Sequence, residues 1–304
     1  MTASIHLLYG LPPRDLVAIQ PDAQQCSPLI PLSARLENIP QGSAIGATVY
    51  APPNTIERRY IFALTLRALP VGAPLTALAL KDKGGSRIAA ELESFGCSIV
   101  EASRAHHRIV TTTRPEALHG IEEALAAAGM QKHPAHGLWT QPGIFSWDRL
   151  DVGSALLLNH LPSVSGRGAD LGAGLGILAQ AALKSTAIKQ LTLLDIDRRA
   201  VDSAEKNIRD NRAKFLWADI RSDELPLHDL DFILMNPPFH DAGIEDQSLG
   251  KAFLTRAAAM LTSGGALWCV ANRHLPYEAL LEAHFSRVTR ITEADGFKIF
   301  QAEK

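Results

Sequence analysis

The sequence predicts an α/β protein made of two units, each a largely parallel sheet with helices packed on its faces. Three observations predict it. The 304 residues are about twice the length of a usual single domain. Apolar runs of strand length alternate with helical segments in both halves, the grammar of a parallel sheet covered on both sides. Between the halves His133, Pro134, His136, Gly137, Pro142 and Gly143 crowd together, a composition that marks loops and boundaries. The expected division is residues 1–131, a linker at 132–143, and residues 144–304.

In the first half, the strand-like Ala47–Tyr50 runs into Ala51-Pro52-Pro53. A helix follows to Leu69, then a strand at Leu75–Leu80, Gly84-Gly85, a helix to Phe95, and strands at Ser98–Val100 and Arg108–Thr112. In the second half, Leu191–Asp195 reads as a short buried strand, with Asp197 as the cap of a helix from Arg198 to about Asp210. Phe232–Met235, Ala266–Ala271 and Val288–Ile291 are further strands, with helices at Gly250–Leu261 and Tyr277–Phe285. Strand, Pro-Pro turn, helix, strand, helix and closing strands thus recur in the same order. That recurrence predicts an internal duplication whose first copy is worn.

Composition excludes several classes. Hydrophobic residues are 46% and charged residues 20% of the chain, so it is neither disordered nor fibrous. The net charge of −2 gives no global attraction for polyanions, so any nucleic acid must meet a local patch. The candidate patch is Arg104, His106, His107 and Arg108; Arg58-Arg59 and Lys81-Lys83-Arg87 are weaker ones. Up to Gln141 there are 12 basic and 11 acidic residues, against 18 and 21 beyond it, so the small positive excess lies upstream. Cys26, Cys97 and Cys269 lie far apart, which argues against a disulfide framework and a metal site. The N-terminus lacks a secretory pattern, and no run reaches the roughly 18 apolar residues of a membrane span. A soluble cytoplasmic protein is expected.

Chemistry is expected beyond the carboxyl ends of the strands. Asp170-Leu171-Gly172-Ala173-Gly174-Leu175-Gly176 precedes the apolar helical stretch Ile177–Leu183. Gly172, Gly174 and Gly176 permit a tight turn whose N–H groups approach a ligand at a helix N-terminus. Dinucleotide loops place their third glycine one residue later, where this chain has Ile177. The tighter spacing behind Asp170 is that of S-adenosyl-L-methionine enzymes. Asp195, ending the next strand, is placed to accept hydrogen bonds from ribose hydroxyls. Asp219, after the strand-like Phe215–Trp217, is third in this ordered series and a candidate acceptor for an adenine amine.

Asn236-Pro237-Pro238-Phe239 follows the apolar run Phe232–Met235 and is the most specific signal in the chain. Two prolines fix a turn with outward carbonyls. The Asn236 side-chain oxygen and the Pro237 carbonyl then accept both hydrogens of an exocyclic amine. That favours the pyramidal, partly cationic nitrogen that develops as the amine attacks a sulfonium methyl. No strong general base is required, so His240 is read as a positioning or contact residue. Phe239 is placed to stack on a flat base. The turn accepts any planar amine, so guanine N2, adenine N6 and a protein glutamine remain alternatives at this point. A non-catalytic RNA-binding assembly factor is a further alternative, disfavoured by intact Asp170, Asp195, Asn236 and Phe239.

Pro142-Gly143-Ile144-Phe145-Ser146 with Leu150-Asp151-Val152-Gly153-Ser154, the glycine loop, Asn236–His240 and Ala271–Glu278 together resemble the bacterial rRNA guanine-N2 methyltransferases of the RsmC/RlmG type. The resemblance covers nearly everything from Pro142 to Ala302, and upstream it is clearest from Gly84 to Val110. It implies a class I S-adenosylmethionine-dependent methyltransferase (Rossmann-like) domain preceded by a degenerate methyltransferase-like domain, with one working cofactor site and transfer to N2 of a guanine in small-subunit ribosomal RNA. By the same resemblance Asp170, Gly172, Gly174 and Gly176 form the methionine-side loop, Asp195 holds the ribose and Asp219 the adenine. Asn236, Pro237, Pro238 and Phe239 hold the target base, and Phe145 and Ser146 close over the cofactor. Ribosomal RNA or the small subunit is the implied partner. Where that family's first strand is β-branched, this chain has Gly166, Arg167, Gly168 and Ala169, so a short, weakly packed strand is expected there.

Overall fold

The computed structural model describes residues 5–238, 240–241, 244–245 and 247–304, and they form two compact units, 1–129 and 130–304.

The first unit contains β1 (Ile5–Tyr9), β2 (Gln24–Gln25), β3 (Ala44–Tyr50), α1 (Thr55–Ala68), β4 (Pro74–Leu80), α2 (Ile88–Ser94), β5 (Ile99–Arg104), β6 (His107–Thr113) and α3 (Ile121–Ala128). Its sheet runs β2-β1-β3-β4-β6-β5, parallel through β4 and antiparallel beyond it. Asn54 caps α1, its side-chain oxygen accepting from the N–H groups of Ile56 and Glu57. The helix then buries Phe62 and Leu66, and its C-cap Leu69, in the unit's core with Leu75, Ile88 and Phe95.

The second unit contains β7 (Gln131–Lys132), β8 (Trp139–Thr140), α4 (Val152–His160), β9 (Gly166–Leu171), α5 (Ile177–Ala182), β10 (Ile188–Asp195), α6 (Arg198–Asn207), β11 (Ala213–Trp217), β12 (Leu230–Met235), β13 (His240–Asp241), β14 (Ile244–Glu245), α7 (Gln247–Met260), β15 (Leu261–Asn272), α8 (Glu278–His284), β16 (Arg287–Ala294) and β17 (Phe297–Glu303). Its main sheet runs β11-β10-β9-β12-β15-β17-β16, parallel through β15, with β17 antiparallel to both of its neighbours. Side chains alternate across it. Ala169, Leu171, Ile233, Met235, Leu267 and Cys269 enter one core with α7 and α8, while Leu191, Leu193, Phe232, Leu234, Trp268 and Val270 enter the other. Burial on both faces is why these strands read as continuous apolar runs.

Two expectations need correction. The segment 132–143 is folded as part of the second unit, not as a free linker. β7 and β8 pair as a hairpin, and the Asn207 side chain accepts from the Trp139 N–H at 2.7 Å while donating to the Trp139 carbonyl at 3.1 Å. Lys132 and Lys206 both lie over the Trp139 ring. Nor is β9 short or weakly packed. It is a six-residue interior strand of the sheet, paired on both sides and buried from Gly168 to Leu171. A Cβ at Gly168 would meet the Phe232 ring at 2.2 Å, so that ring fills the volume the missing side chain leaves.

Candidate active site

The carboxyl ends of β9, β10, β11 and β12 carry the acids and the amide singled out in the sequence. Asp170 is fully buried at the end of β9. Its Oδ2 accepts from the Ala179 N–H at 3.1 Å. Ala179 lies in the first turn of α5, whose cap, Gly176, has no side chain to offer, so Asp170 satisfies an orphan donor there. Asp170 Oδ1 is buried without a hydrogen-bond partner. Burial pushes this carboxyl up from its ordinary value to about 7.

The loop above it turns through positive φ at Gly172 (72°), Gly174 (54°) and Gly176 (80°). At Gly174 the backbone is open, with nothing within 4 Å of where a Cβ would stand. Asp195 ties this loop to the neighbouring strand. Its Oδ2 accepts from the Gly174 N–H and its Oδ1 from the Asp197 N–H, both at 2.8 Å. Burial raises its carboxyl to about 6, partly offset by these backbone donors. Asp197 itself caps α6, as its position predicts.

Asp219 lies two residues beyond β11 in a local clamp. Both of its oxygens accept from the Arg221 guanidinium, at 2.7–3.0 Å, and the pairing holds its carboxyl below the usual range. The same Asp-x-Arg fork recurs at Asp197–Arg199 and Asp210–Arg212. An adenine contact at Asp219 therefore has to share a carboxylate already held by Arg221.

Asn236 follows β12 directly, with Pro237 buried and Pro238 half-buried behind it. Its side-chain nitrogen donates to Asp151 Oδ2 at 2.8 Å and to Ser154 Oγ at 2.9 Å. A carboxylate oxygen only accepts, so the amide nitrogen must face Asp151, and Oδ1 points the other way. Both N–H bonds of the amide are thereby used inside the protein. The same Asp151 oxygen accepts from the Ser154 N–H at 2.8 Å, capping α4. Sequence reading gave Asp151 and Ser154 no role. The available signal was an Asp-x-x-Ser helix start, but its partner lies 85 residues away.

The other expected residues divide. Phe145 is 61% exposed, and Ser146, at φ 56°, donates its hydroxyl to the Arg149 carbonyl. Phe239 lies outside the described residues. The upstream basic cluster does not form one surface: His107 is buried and contacts the Tyr50 hydroxyl and the Ala105 carbonyl, and Arg108 pairs with Glu101 at 2.9 Å. Only Arg104 and His106 of the four are exposed. Arg58 is fully buried, forked onto Glu91 at 2.6 Å, with Nη1 donating to the Pro52 and Pro53 carbonyls at 2.9 and 2.8 Å. Among the described residues no acidic, His or Cys group could hold a metal ion, and no helix is long and apolar enough to cross a membrane.

A sheet of this strand order with a glycine loop, an acid ending the next strand and an Asn-Pro-Pro turn defines a class I S-adenosylmethionine-dependent methyltransferase fold. Residues 135–301 match the methyltransferase small domain family. Over nearly the whole chain the sequence is 33% identical to the ribosomal RNA small subunit methyltransferase C of Pseudomonas aeruginosa, covering 98% of this chain and 94% of that protein. It is 32% identical to the protein of the same name from Stutzerimonas stutzeri, covering 86% and 80%. A solved structure titled T. thermophilus 16S rRNA N2 G1207 methyltransferase (RsmC), in complex with AdoMet and guanosine, superposes with a TM-score of 0.73 at 26% identity, covering 89% of this chain and 76% of that one. The chain belongs to the ribosomal RNA small subunit methyltransferase C family.

Proposed function

We propose that this protein transfers the methyl group of S-adenosylmethionine to the exocyclic N2 amine of a guanine in small-subunit ribosomal RNA. The observation that carries the reading is the fixed Asn236 amide: both N–H bonds are spent on Asp151 and Ser154, so the NH2 end faces that pair and the acceptor oxygen faces the other way. Such an acceptor, beside the Pro237 carbonyl, suits an amine with two hydrogens to donate. The relatives' names and the guanosine in the T. thermophilus structure's title favour guanine over adenine or a protein amide.

The cofactor's fit rests on three features. Asp170 keeps a buried oxygen without a partner, the backbone at Gly174 is open, and Asp195 sets a carboxylate at the end of β10. In this reading Asp170 and the loop Gly172–Gly176 hold the methionine end, Asp195 the ribose and Asp219 the adenine, while Phe145 and Ser146 lie at the cofactor's edge. When bound, S-adenosylmethionine supplies an electrophilic methyl on a sulfonium. Asn236 and the Pro237 carbonyl accept the amine's hydrogens and so stabilise the positive charge that grows on nitrogen during attack. Phe239 stacks on the base. Guanine N2 takes part in pairing, so the base must be unpaired or turned out first, at a cost of about a few kcal/mol in a duplex.

The first unit is, in this reading, a worn copy that supports RNA binding. Its sheet repeats the second unit's order from the centre outwards, β1-β3-β4-β6-β5 against β9-β12-β15-β17-β16. It has no acid-led glycine loop after β1, and Arg58 already occupies the carbonyls of its Pro-Pro turn.

The test is to incubate the protein with labelled cofactor and small ribosomal subunits or naked 16S RNA, and to map the modified nucleoside by mass spectrometry. N2-methylguanine at one position is expected. N6-methyladenine or methylglutamine instead would overturn the substrate. Asn236→Ala should lower turnover by about two orders of magnitude or more with cofactor affinity near normal.

A further inference from the structure

We propose that Asp151 and Ser154 are positioning residues for methyl transfer, a pair that locks Asn236 into the one amide orientation able to receive the target amine. The inference rests on the function proposed above for the substrate's identity, but the geometry behind it does not. An asparagine side chain turned over about its last torsion would present an NH2 group where an acceptor is needed. Two amine hydrogens facing two amide hydrogens repel each other, so the flipped form is unproductive. Asp151 Oδ2 and Ser154 Oγ, at 2.8 and 2.9 Å from the same nitrogen, remove that form. The bond to Asp151 is charge-assisted, which favours the observed orientation further and polarises the amide so that Oδ1 becomes a better acceptor.

The placement is reinforced from three directions. Asn236 follows a strand buried on both faces, so its backbone cannot drift. Pro237 and Pro238 restrict the chain immediately after it. Asp151 is itself held, because the oxygen facing Asn236 also accepts from the first turn of α4, at 2.8 Å. Gly153, between the pair, packs against the Phe297 ring, where a Cβ would come within 2.9 Å, so the helix start is seated against β17. The clamp thus joins the start of α4 to the end of β12 across the sheet. Neither residue contributes a reacting atom. Their effect reaches the substrate through the direction of the Asn236 carbonyl.

Asp151 also caps a helix, so the variants must separate capping from clamping. Asp151→Ser keeps a good cap but is too short to hold Asn236. Asp151→Asn retains an acceptor oxygen for both bonds, and Ser154→Ala removes the second contact alone. In single-turnover transfer to small subunits, Asp151→Ser should lower the rate about ten- to a hundredfold, with cofactor affinity and the RNA KM little changed. Asp151→Asn should recover most of that loss. A wild-type rate in Asp151→Ser, or Asp151→Asn as slow as Asp151→Ser, would overturn the proposal.

A second measurement does not need the substrate. In protein labelled with 15N-asparagine, the NH2 pair that vanishes in Asn236→Ala reports this amide. It should exchange slowly with solvent in the wild type and in Asp151→Asn, and fast in Asp151→Ser. A solvent-like pair in the wild type would refute the clamp even if the protein methylates guanine. A protected pair in a protein that methylates another amine would leave the clamp standing and remove only the substrate assignment.

Discussion

Asp170→Asn should make the cofactor-free protein more stable at pH 8 while weakening cofactor binding. The buried carboxyl is pushed from its ordinary value near 3.8 to about 7, with one oxygen lacking any partner. A carboxyl with a raised native pKa destabilises the fold where the unfolded chain is ionised and the native state resists ionisation. The cost is absent below about pH 4, grows as pH rises, and is complete above about pH 7. At about 1.36 kcal/mol per pH unit, the interval between the two values corresponds to about 4 kcal/mol. Asparagine removes that cost and keeps an acceptor for the Ala179 N–H, but leaves a buried NH2 group without a partner, worth about 1–3 kcal/mol against it. The net expectation is a gain of about 1–3 kcal/mol at pH 8, or a rise of about 2–10 °C in Tm. Near pH 5 only about 1.7 kcal/mol of the charge cost is present, no more than the penalty of the buried NH2 group, so the gain should vanish or reverse. All four tryptophans, Trp139, Trp147, Trp217 and Trp268, lie in the second unit, so their fluorescence follows this transition by itself. Calorimetric titration should show at least about tenfold weaker cofactor binding, the loss expected when one charged contact of about 1.5–3 kcal/mol is removed. A variant no more stable than wild type at pH 8, or one whose advantage is the same at pH 5 and pH 8, would refute the reasoning.

Asp195→Ala should abolish cofactor binding, and calorimetry on the wild type should give one site per chain. Wild-type affinity should fall as pH drops below about 6, because protonating Asp195 removes an acceptor, and a pH-independent affinity would remove it from the site. Glu91→Gln leaves the Arg58 guanidinium buried without its carboxylate and should cost the first unit about 3–5 kcal/mol. Hydrogen exchange should rise across α1 and α2 while cofactor affinity in the second unit holds. Gly168→Ala forces a methyl into the Phe232 ring and should destabilise the second unit by about 1–3 kcal/mol or more, with Phe232→Leu recovering part of it in the double variant.

What was legible in the sequence was what is local. The Asp195 position, the Asp197 cap, the glycine loop and the Asn-Pro-Pro turn are set by residues within a few positions of one another, and propensity and periodicity read them. The strength of β9 was misread because Gly168 looks weak until Phe232, 64 residues later, supplies the missing volume. Residues 132–143 read as a linker because histidines, prolines and glycines crowd there, yet Asn207 and Lys206, far along the chain, fasten Trp139 into the second unit. The basic cluster at 104–108 dispersed for the reason strands always disperse neighbours: successive side chains of β6 point to opposite faces, so His107 turns inward while Arg108 meets Glu101.

The two Pro-Pro turns carry this furthest. Ala51-Pro52-Pro53 and Asn236-Pro237-Pro238 each follow a strand buried at its core; the first leads directly into α1, the second into the β13–β14 hairpin ahead of α7. At the first, Arg58 donates to the Pro52 and Pro53 carbonyls and is neutralised by Glu91, so the turn's acceptors are consumed by the chain itself. At the second, it is the donors of Asn236 that the chain consumes, through Asp151 and Ser154, and the acceptor oxygen is turned away from that pair. A turn closed by an internal guanidinium is a structural joint. A turn whose amide donors are satisfied internally has its acceptor oxygen turned the other way, the arrangement that the proposed function uses for a ligand bringing N–H groups. The sequence difference is small, Ala51 against Asn236 at the turn and Arg58 five residues after Pro53. Its consequence depends on partners 33 residues away in one case and 82 to 85 in the other. On two sheets of corresponding strand order, that difference is what supports assigning the proposed amine-binding role to the second turn and not to the first.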